Sequence, residues 1–208
     1  MRFLPFSLLR SAAGHPACKT MARLIGISLV LLTCLNTAYS AEPFTVDAAR
    51  HGDAVQINAS ATVRAPLALI WSTLTDYDHL AEFIPGMNKS KLMERQGKTS
   101  IVEQSGYAHL WFFRFPINVT VEAIEQSSSV MTVRLLKGNL KRLEGSYDVE
   151  KINGDDTYTL RWTGIIEPGI NVPGAIATPL MRKNISEQFL GMVTEIERRA
   201  AQQHAPPG

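Results

Sequence analysis

Residues 110–125 constrain the fold most, because apolar and polar side chains alternate along this segment. The odd-numbered positions from 111 to 123 are all apolar, whereas Arg114, Asn118, Thr120 and Glu122 occupy even-numbered positions. Successive side chains of a strand point to opposite faces of a sheet. The segment is therefore predicted to form a long strand with one solvated face and one apolar, aromatic-rich face. Another element must cover that apolar face.

The same alternation recurs elsewhere and predicts an antiparallel sheet with one solvated face. The alternating segments are residues 55–63, 131–135, 142–150 and 158–164, with less regular ones at 99–108 and 89–95. The last of these carries lysines, which suit the edge of a sheet because they discourage pairing with other chains. Turn residues at 95–98, 127–129, 137–139 and 153–155 predict hairpin-length connections, and hence a meander of strands.

Helical spacing appears on both sides of this predicted meander. Pro66 suits the first turn of a helix, and apolar residues follow it at intervals of three and four residues up to Tyr77. A short second helix is predicted over residues 79–83. A long last helix is predicted from Thr178 to about Gln202, with an apolar face suited to cover the sheet and with Glu195 and Arg199 as an exposed pair.

The first forty residues have the features of a secretory signal peptide. Arg23 precedes an apolar run over residues 24–35, and an Ala-Tyr-Ser sequence ends at Ser40. The run of about twelve residues is shorter than the roughly 17–25 residues of a spanning helix. We expect cleavage after Ser40 and export to the periplasm, with Met21 as a possible true start. The alternative is an uncleaved membrane anchor.

Cleavage would change both the charge and the cysteine content of the chain. The leader holds four basic residues (Arg2, Arg10, Lys19, Arg23) and no acidic one, so the 21 basic and 19 acidic residues of the chain become 17 and 19, and its charge changes from +2 to −2. Nothing in that balance indicates binding of nucleic acid, which would need a basic face. Both cysteines also leave, so no disulfide can form. We expect a single domain over residues 41–202 that its core alone holds together, and a disordered tail at 203–208.

Four segments resemble the SRPBCC or START-like superfamily, in its polyketide cyclase/dehydrase and coenzyme-Q-binding branch. They span residues 63–87, 102–125, 135–150 and 165–199 and include Asp76-Tyr77, Phe83-Ile84-Pro85-Gly86 and Glu195-Ile196-Glu197-Arg198-Arg199. The resemblance implies an α+β helix-grip fold, in which a curved antiparallel sheet of about six to seven strands wraps a long C-terminal helix. Two short helices would follow the first strand.

The resemblance also implies a function, since members bind lipids, isoprenoid quinones, polyketides or sterol-like ligands in a cavity between sheet and helix. Most need no metal or redox cofactor, and we expect none here. We therefore expect non-catalytic binding or transport of a lipid or isoprenoid quinone in the cell envelope. One alternative is a polyketide-type cyclase or dehydratase. Another is an envelope protein-interaction module with a collapsed cavity.

Aromatic and apolar residues with inward positions are the candidates for contact with a ligand, although an ordinary core role would explain each of them. A pocket is typically apolar with a few polar groups, and this set fits that description. The candidates are Trp71, Tyr77, Phe83, Tyr107, Trp111, Phe113, Phe115, Tyr147, Trp162, Met181, Ile185 and Phe189. Gly145 and Gly164, on inward rows, are expected either to let the sheet bend or to leave room for a ligand.

Familiar catalytic patterns are absent from the sequence. The chain beyond the leader has no cysteine, HExxH or GxSxG motif, and its histidines show no metal-ligand spacing. His109 is interpreted as a turn residue. If the chain were a cyclase, the resemblance would imply polar cavity groups that polarise a substrate carbonyl, with Tyr107, Tyr147, Arg161 and Arg182 as candidates. Arg161 is on the outward set of its strand, which argues against it.

The segment before the last helix, residues 171–176, is apolar for a connection. It is interpreted as a lid of the cavity, or as an edge that touches a membrane transiently during lipid exchange. Residues 84–87 would form the opposite lip. Lys137, Lys141 and Arg142 lie near one predicted hairpin, where they would meet anionic head groups or simply form a solvated edge.

Overall fold

The computed structural model describes residues 44–110, 112–152 and 154–203. The predicted leader (1–40) and residues 204–208 of the predicted tail lie outside them. The elements in chain order are β1 (Thr45–His51), β2 (Ala54–Arg64), α1 (Leu67–Leu74), α2 (Leu80–Phe83), β3 (Met87–Gln96), β4 (Thr99–Leu110), β5 (Phe113–Glu125), β6 (Val130–Gly138), β7 (Leu140–Lys151), β8 (Thr157–Pro168) and α3 (Gly174–Gln203).

The strands form one antiparallel sheet in the order β1-β2-β8-β7-β6-β5-β4-β3. This curved sheet with its long C-terminal helix confirms the predicted α+β helix-grip fold. β3 is an edge strand, as its lysines predicted. The described residues contain eight strands rather than six to seven, and the two short helices follow the second strand rather than the first. Only Val46 and Ala48 of β1 turn inward, which is too short an alternation to detect from the sequence.

α3 touches the sheet mainly near its two edges. It packs closely against β1 and β2 on one side and against β4 on the other, while the middle strands β5, β6 and β7 curve away from it. Side chains of β2, β8 and α3 on the β2 side of the sheet are completely buried, among them Ile57, Leu160 and Ile196. Each such side chain stabilises the fold by about 1.5–3 kcal/mol. The core is therefore dense on the β2 side and leaves space under the middle strands.

α3 begins one turn earlier than the sequence predicted. The carbonyl of Pro173 accepts hydrogen bonds from the backbone N–H groups of Ile176 and Ala177, at 2.8 and 2.9 Å. The helix thus begins at Gly174, and Pro179 lies inside it rather than at its first position. Pro179 has no N–H to donate to the carbonyl of Ala175, so the helix lacks one backbone hydrogen bond at this point. Part of the predicted lid over 171–176 is therefore the first turn of α3.

The C-terminal part of α3 is tied to the loop after α1 by a cluster of charged side chains. Glu195 accepts hydrogen bonds from Arg198 and Arg199, and Arg199 also donates to Asp76 at 2.9 Å. Glu195 is 8% exposed, so the prediction of an exposed Glu195–Arg199 pair is corrected. Helical spacing gave the pair correctly, but it did not show that Asp76 would cover it.

Hydrogen bonds in this cluster hold two carboxyl groups in their charged form. Those from Arg198 and Arg199 to Glu195 outweigh its burial and lower its pKa to about 2. Burial raises the pKa of Asp76, but hydrogen bonds from His79 and Arg199 outweigh this effect and leave it below the usual value. Protonation of either carboxyl group would therefore weaken the link between α3 and the loop.

We expect Glu195→Gln to reduce the acid sensitivity of the fold. Glu195 has a lower pKa in the folded chain than its ordinary value of 4.5, so its contribution is complete above about pH 4.5 and is lost as pH falls toward 2. Between pH 7 and pH 3 the wild-type free energy of unfolding should fall by about 2 kcal/mol more than that of the variant. Urea unfolding at both pH values measures this difference.

The matched control is Glu94→Gln. Glu94 is an exposed glutamate of β3 with no ion pair among the described residues. This variant should keep the wild-type pH dependence of the free energy of unfolding. Equal pH dependence in wild type and Glu195→Gln would show that the cluster does not stabilise the fold.

Candidate functional site

A cavity of about 660 Å³ lies between α3 and the middle strands of the sheet. It occupies the space under the middle strands, because α3 packs mainly against β1, β2 and β4. Most of its wall is aliphatic or aromatic, and inward residues of β4 to β8 supply one side while α3 supplies the other. This volume is within the usual range of small-molecule sites.

Eight of the twelve predicted residues line this cavity. They are Tyr77, Tyr107, Phe115, Tyr147, Trp162, Met181, Ile185 and Phe189. Strand parity and helix spacing were sufficient to place them, because both periodicities determine which way a side chain points. Their contact with a ligand stays a prediction.

Two predicted residues, Trp71 and Phe83, do not line the cavity, and their placement is corrected. The indole Nε1 of Trp71 donates a hydrogen bond of 2.7 Å to Oε2 of Glu125, so this ring ties α1 to the end of β5. The ring of Phe83 lies 5.4 Å from the guanidinium of Arg199. Helical spacing gives the inward side of a short helix, but not whether the side chain meets the cavity or a neighbouring element.

The two remaining candidates cannot be placed. Trp111 lies outside the described residues, and the side chain of Phe113 does so too. Their role stays a prediction.

The floor of the cavity is built around Trp162. Gly145 of β7 pairs with Gly164 of β8, and the indole of Trp162 lies against both. A Cβ on Gly164 would come within 2.5 Å of the Trp162 ring, and one on Gly145 within 3.2 Å. The two glycines therefore make room for the indole. The sequence predicted that these glycines let the sheet bend or leave room for a ligand. In the structure, a side chain of the protein itself occupies the space beside them.

The inner end of the cavity, next to α1, holds two tyrosines. The hydroxyl of Tyr77 donates to Sδ of Met131 at 3.3 Å. Burial raises the pKa of Tyr77 to about 12, with the nearby carboxylate of Glu125 adding to the shift. Burial likewise raises the pKa of Tyr147 to about 12, with Tyr77 adding to it. Both hydroxyls therefore stay neutral at any ordinary pH.

The opposite end is the mouth, where the β6–β7 turn meets the segment between β8 and α3. Asn139 holds this turn against β5, because its side chain donates to the carbonyl of Pro116 at 2.7 Å and accepts from the N–H of Asn118 at 2.9 Å. Gly169 lies directly on the backbone of Asn139, where a Cβ would overlap the carbonyl oxygen of that residue. The next residue, Ile170, lines the cavity and is 60% exposed. The mouth thus has an apolar rim.

Asn184 closes the side of the cavity where α3 meets β4. Its Oδ1 accepts a hydrogen bond from the N–H of His109 at 2.9 Å, and its Nδ2 donates to the carbonyl of His109 at 3.0 Å. His109 is the penultimate residue of β4 rather than a turn residue. Asn184 was missed from the sequence, although it follows the cavity residue Met181 by three positions and so lies on the same helix face. The same spacing would have found Gln188.

The described wall of the cavity contains few groups for acid–base chemistry. Its ionisable side chains are Lys141 and three tyrosines, with no histidine, carboxylate or arginine. Of the cyclase candidates, Tyr107 and Tyr147 line the cavity. Arg161 faces outward to pair with Glu150, and Arg182 donates to the carbonyl of Val46 at 3.0 Å. Among the described residues no group of three or more His, Cys, Asp or Glu is placed to hold a metal ion.

Residues 63–190 match the protein family described as polyketide cyclase / dehydrase and lipid transport. No curated protein sequence matches the chain. Among solved structures, the chain is similar to the Zhui aromatase/cyclase from Streptomyces sp. R1128, with 14% identity, a TM-score of 0.61, and coverage of 74% of this chain and 98% of that one.

Two further structures are similar to the chain. One is a STAR-related lipid transfer protein from Xanthomonas axonopodis, with 11% identity, a TM-score of 0.56, and coverage of 74% and 98%. The other is a START superfamily protein from Mycobacterium smegmatis, with 16% identity, a TM-score of 0.57, and coverage of 71% and 98%. At these identities the likeness shows the shared fold. An aromatase/cyclase and a lipid transfer protein both have it, so fold alone does not decide between their activities.

We expect Gly164→Ala to destabilise the protein by about 1–3 kcal/mol, because the new methyl group would push the Trp162 ring out of its place on the sheet. Urea unfolding measures the loss, and a shift of tryptophan emission should accompany it. Gly154→Ala is the control, since a Cβ there meets nothing within 4 Å. Equal stability of the two variants would show that the ring does not need this space.

Proposed function

Since the chain belongs to the polyketide cyclase / dehydrase and lipid transport family, we propose that it binds and carries a lipid or isoprenoid quinone without reacting with it. The observation that supports this most directly is the composition of the cavity wall. The space is large and mostly apolar, and its described wall offers no carboxylate, histidine or arginine.

Burial of apolar surface provides the affinity in this proposal. Each CH₂ group that moves from water into the cavity contributes about 0.8 kcal/mol. A chain of several such groups can therefore be held by area and shape, with few hydrogen bonds. The aliphatic wall residues of the sheet and the unbranched Met131, Met181 and Met192 suit a flexible tail, because methionine adapts to irregular apolar shapes.

The enzymatic alternative has less support from the site. General acid–base catalysis needs a group whose pKa lies near the working pH. Tyr77 and Tyr147, at the inner end, have pKa values raised to about 12, and Lys141 lies at the mouth, 3.4 Å from Glu167. The interaction module with a collapsed cavity has no support, because the cavity is open.

We place this carrier in the cell envelope on the strength of the signal-peptide pattern in residues 1–40. Cleavage after Ser40 and transient contact of the cavity mouth with a membrane belong to the same proposal. Within the part of the chain that the structure describes, no helix has the length and apolar character to cross a membrane.

The experiment that tests the proposed function starts from the full chain expressed with its leader in a bacterial host. The protein is recovered from the periplasmic fraction, analysed intact by native mass spectrometry, and then extracted to identify any bound molecule. We expect a mass that begins at Ala41 and a stoichiometric neutral lipid or quinone. Protein that is always empty and ignores added lipids and quinones would contradict the carrier function. Retention of residues 1–40 would contradict cleavage only.

We expect Ile185→Trp to block ligand binding, because the larger side chain enters the cavity from α3. Affinity for N-phenyl-1-naphthylamine, an uncharged fluorescent probe, should fall at least tenfold in a fluorescence titration. Leu190→Trp is the matched control, since Leu190 is on the same helix, outside the cavity wall and 51% exposed. Equal affinity in the two variants would show that the probe binds elsewhere.

A further inference from the structure

Tyr147 and Trp162 lie side by side on the inner face of the sheet. The two residues are directly paired across β7 and β8, and Met131 is paired with Tyr147 on the other side. Antiparallel partners project to the same face, and all three line the cavity. They form its inner end together with Tyr77, far from the rim at Ile170.

Both side chains have a hydrogen-bond donor without a protein acceptor. Among the described residues, neither the hydroxyl of Tyr147 nor Nε1 of Trp162 donates a hydrogen bond, whereas Tyr77 is occupied with Met131. Among the described residues, the fully buried polar side-chain atom that lacks a hydrogen bond is Oγ of Ser90. The donors of Tyr147 and Trp162 are therefore accessible, and both residues line the cavity.

A donor that faces an apolar cavity without an acceptor forgoes a hydrogen bond that it would make in water, which is unfavourable. Two neighbouring donors at the closed end of an apolar cavity therefore attract a ligand atom that accepts hydrogen bonds. Tyr147 stays protonated because burial keeps its pKa near 12, so it remains a donor. Most of the surrounding wall is aliphatic or aromatic, although Gln104 and Gln188 also line the cavity. Next to Tyr147 the competing acceptors are the hydroxyl oxygen of Tyr77 and the sulfur of Met131, which already accepts from Tyr77.

The charge of the ligand follows from the same surroundings. Among the described residues no cation lines the inner end: the guanidinium of Arg95 lies 5.7 Å from the centre of the Tyr77 ring, but Arg95 does not line the cavity. Lys141 is at the mouth, where it pairs with Glu167. A carboxylate or phosphate that entered first would lose its hydration without gaining a counterion, which is strongly unfavourable. The acceptor must therefore be neutral, as in a ketone, a quinone or an ester.

We propose that Tyr147 and Trp162 are the specificity-determining donors of the cavity, and that they select a hydrophobic ligand whose neutral carbonyl end enters first. The apolar end of the ligand then lies at the mouth. This inference rests on the proposed function and narrows its ligand class from lipids in general to carbonyl compounds without charge.

Two probes of nearly equal shape test the donors: 2-acetylnaphthalene, which has a carbonyl group, and 2-ethylnaphthalene, which has none. Each displaces N-phenyl-1-naphthylamine from wild type and from Tyr147→Phe. Loss of one neutral hydrogen bond corresponds to about a threefold to tenfold change in affinity. We expect Tyr147→Phe to weaken the ketone at least threefold relative to the hydrocarbon. A smaller relative change would contradict the proposal that Tyr147 donates to the carbonyl group of the ligand.

Tyr158→Phe is the control variant, because Tyr158 is a buried tyrosine of β8 that does not line the cavity. It should bind both probes as wild type does. An independent readout is the carbonyl stretch of the bound ketone, which should move to lower wavenumber in wild type and return in Tyr147→Phe. If the carbonyl stretch of the bound ketone is not shifted in wild type, the proposed hydrogen bond does not form. This conclusion would hold even if Tyr147→Phe lost affinity because it misfolds.

The outcomes separate this inference from the proposed function. If wild type binds both probes and Tyr147→Phe lowers the affinity for both equally, the cavity is a hydrophobic site, but Tyr147 does not select a carbonyl group. If wild type binds neither probe, the result contradicts the proposed function, and with it the proposal that Tyr147 and Trp162 select a carbonyl group.

Discussion

α3 spans the curved sheet from one side to the other, and the rest of the structure depends on this constraint. The helix packs against β1 and β2 at one side of the sheet and against β4 at the other, so the middle strands lack a direct partner. A strand face this apolar would normally be covered by side chains, but here the curvature leaves a space of about 660 Å³. Contacts at the periphery must therefore hold the helix in place. The Glu195–Arg199–Asp76 cluster and the two hydrogen bonds between Asn184 and His109 serve this role at opposite parts of α3.

Sequence periodicity predicted the walls of the cavity better than its details. Parity along β7 and β8 placed Tyr147 and Trp162 on the inner face, because a strand allows only two side-chain directions. Helices allow more directions, and this explains why Trp71 was assigned to the cavity although it turns to Glu125. The glycines at 145 and 164 were recognised as unusual, but only the three-dimensional packing shows that the Trp162 ring occupies their space. Likewise, the sequence does not show whether the donors of Tyr147 and Trp162 have acceptors, because an acceptor can come from residues distant along the chain.

The family includes proteins named for catalysis and for lipid transport, so the wall chemistry has to distinguish them. A fold that leaves an apolar space can serve either activity, depending on which few side chains project into it. In this chain the two arginines considered for catalysis are used elsewhere. Arg161 pairs with Glu150 on the outer face, and Arg182 binds the backbone of β1. The described cavity wall keeps Lys141 at its mouth and the neutral donors of Tyr147 and Trp162 at its inner end, which can donate hydrogen bonds to a carbonyl group.

Unpaired donors at the inner end also couple ligand binding to stability. Among the described residues, the hydroxyl of Tyr147 and the N–H of Trp162 have no protein acceptor, so a ligand that accepts from them would bind the folded chain and not the unfolded one. Such a ligand stabilises the native state in proportion to its affinity and concentration. With the carbonyl end inside, the apolar end of the ligand lies beside Ile170 at the rim, where the chain is already exposed and apolar. The ligand would then leave with its apolar end first, which suits delivery into an apolar destination more than into water.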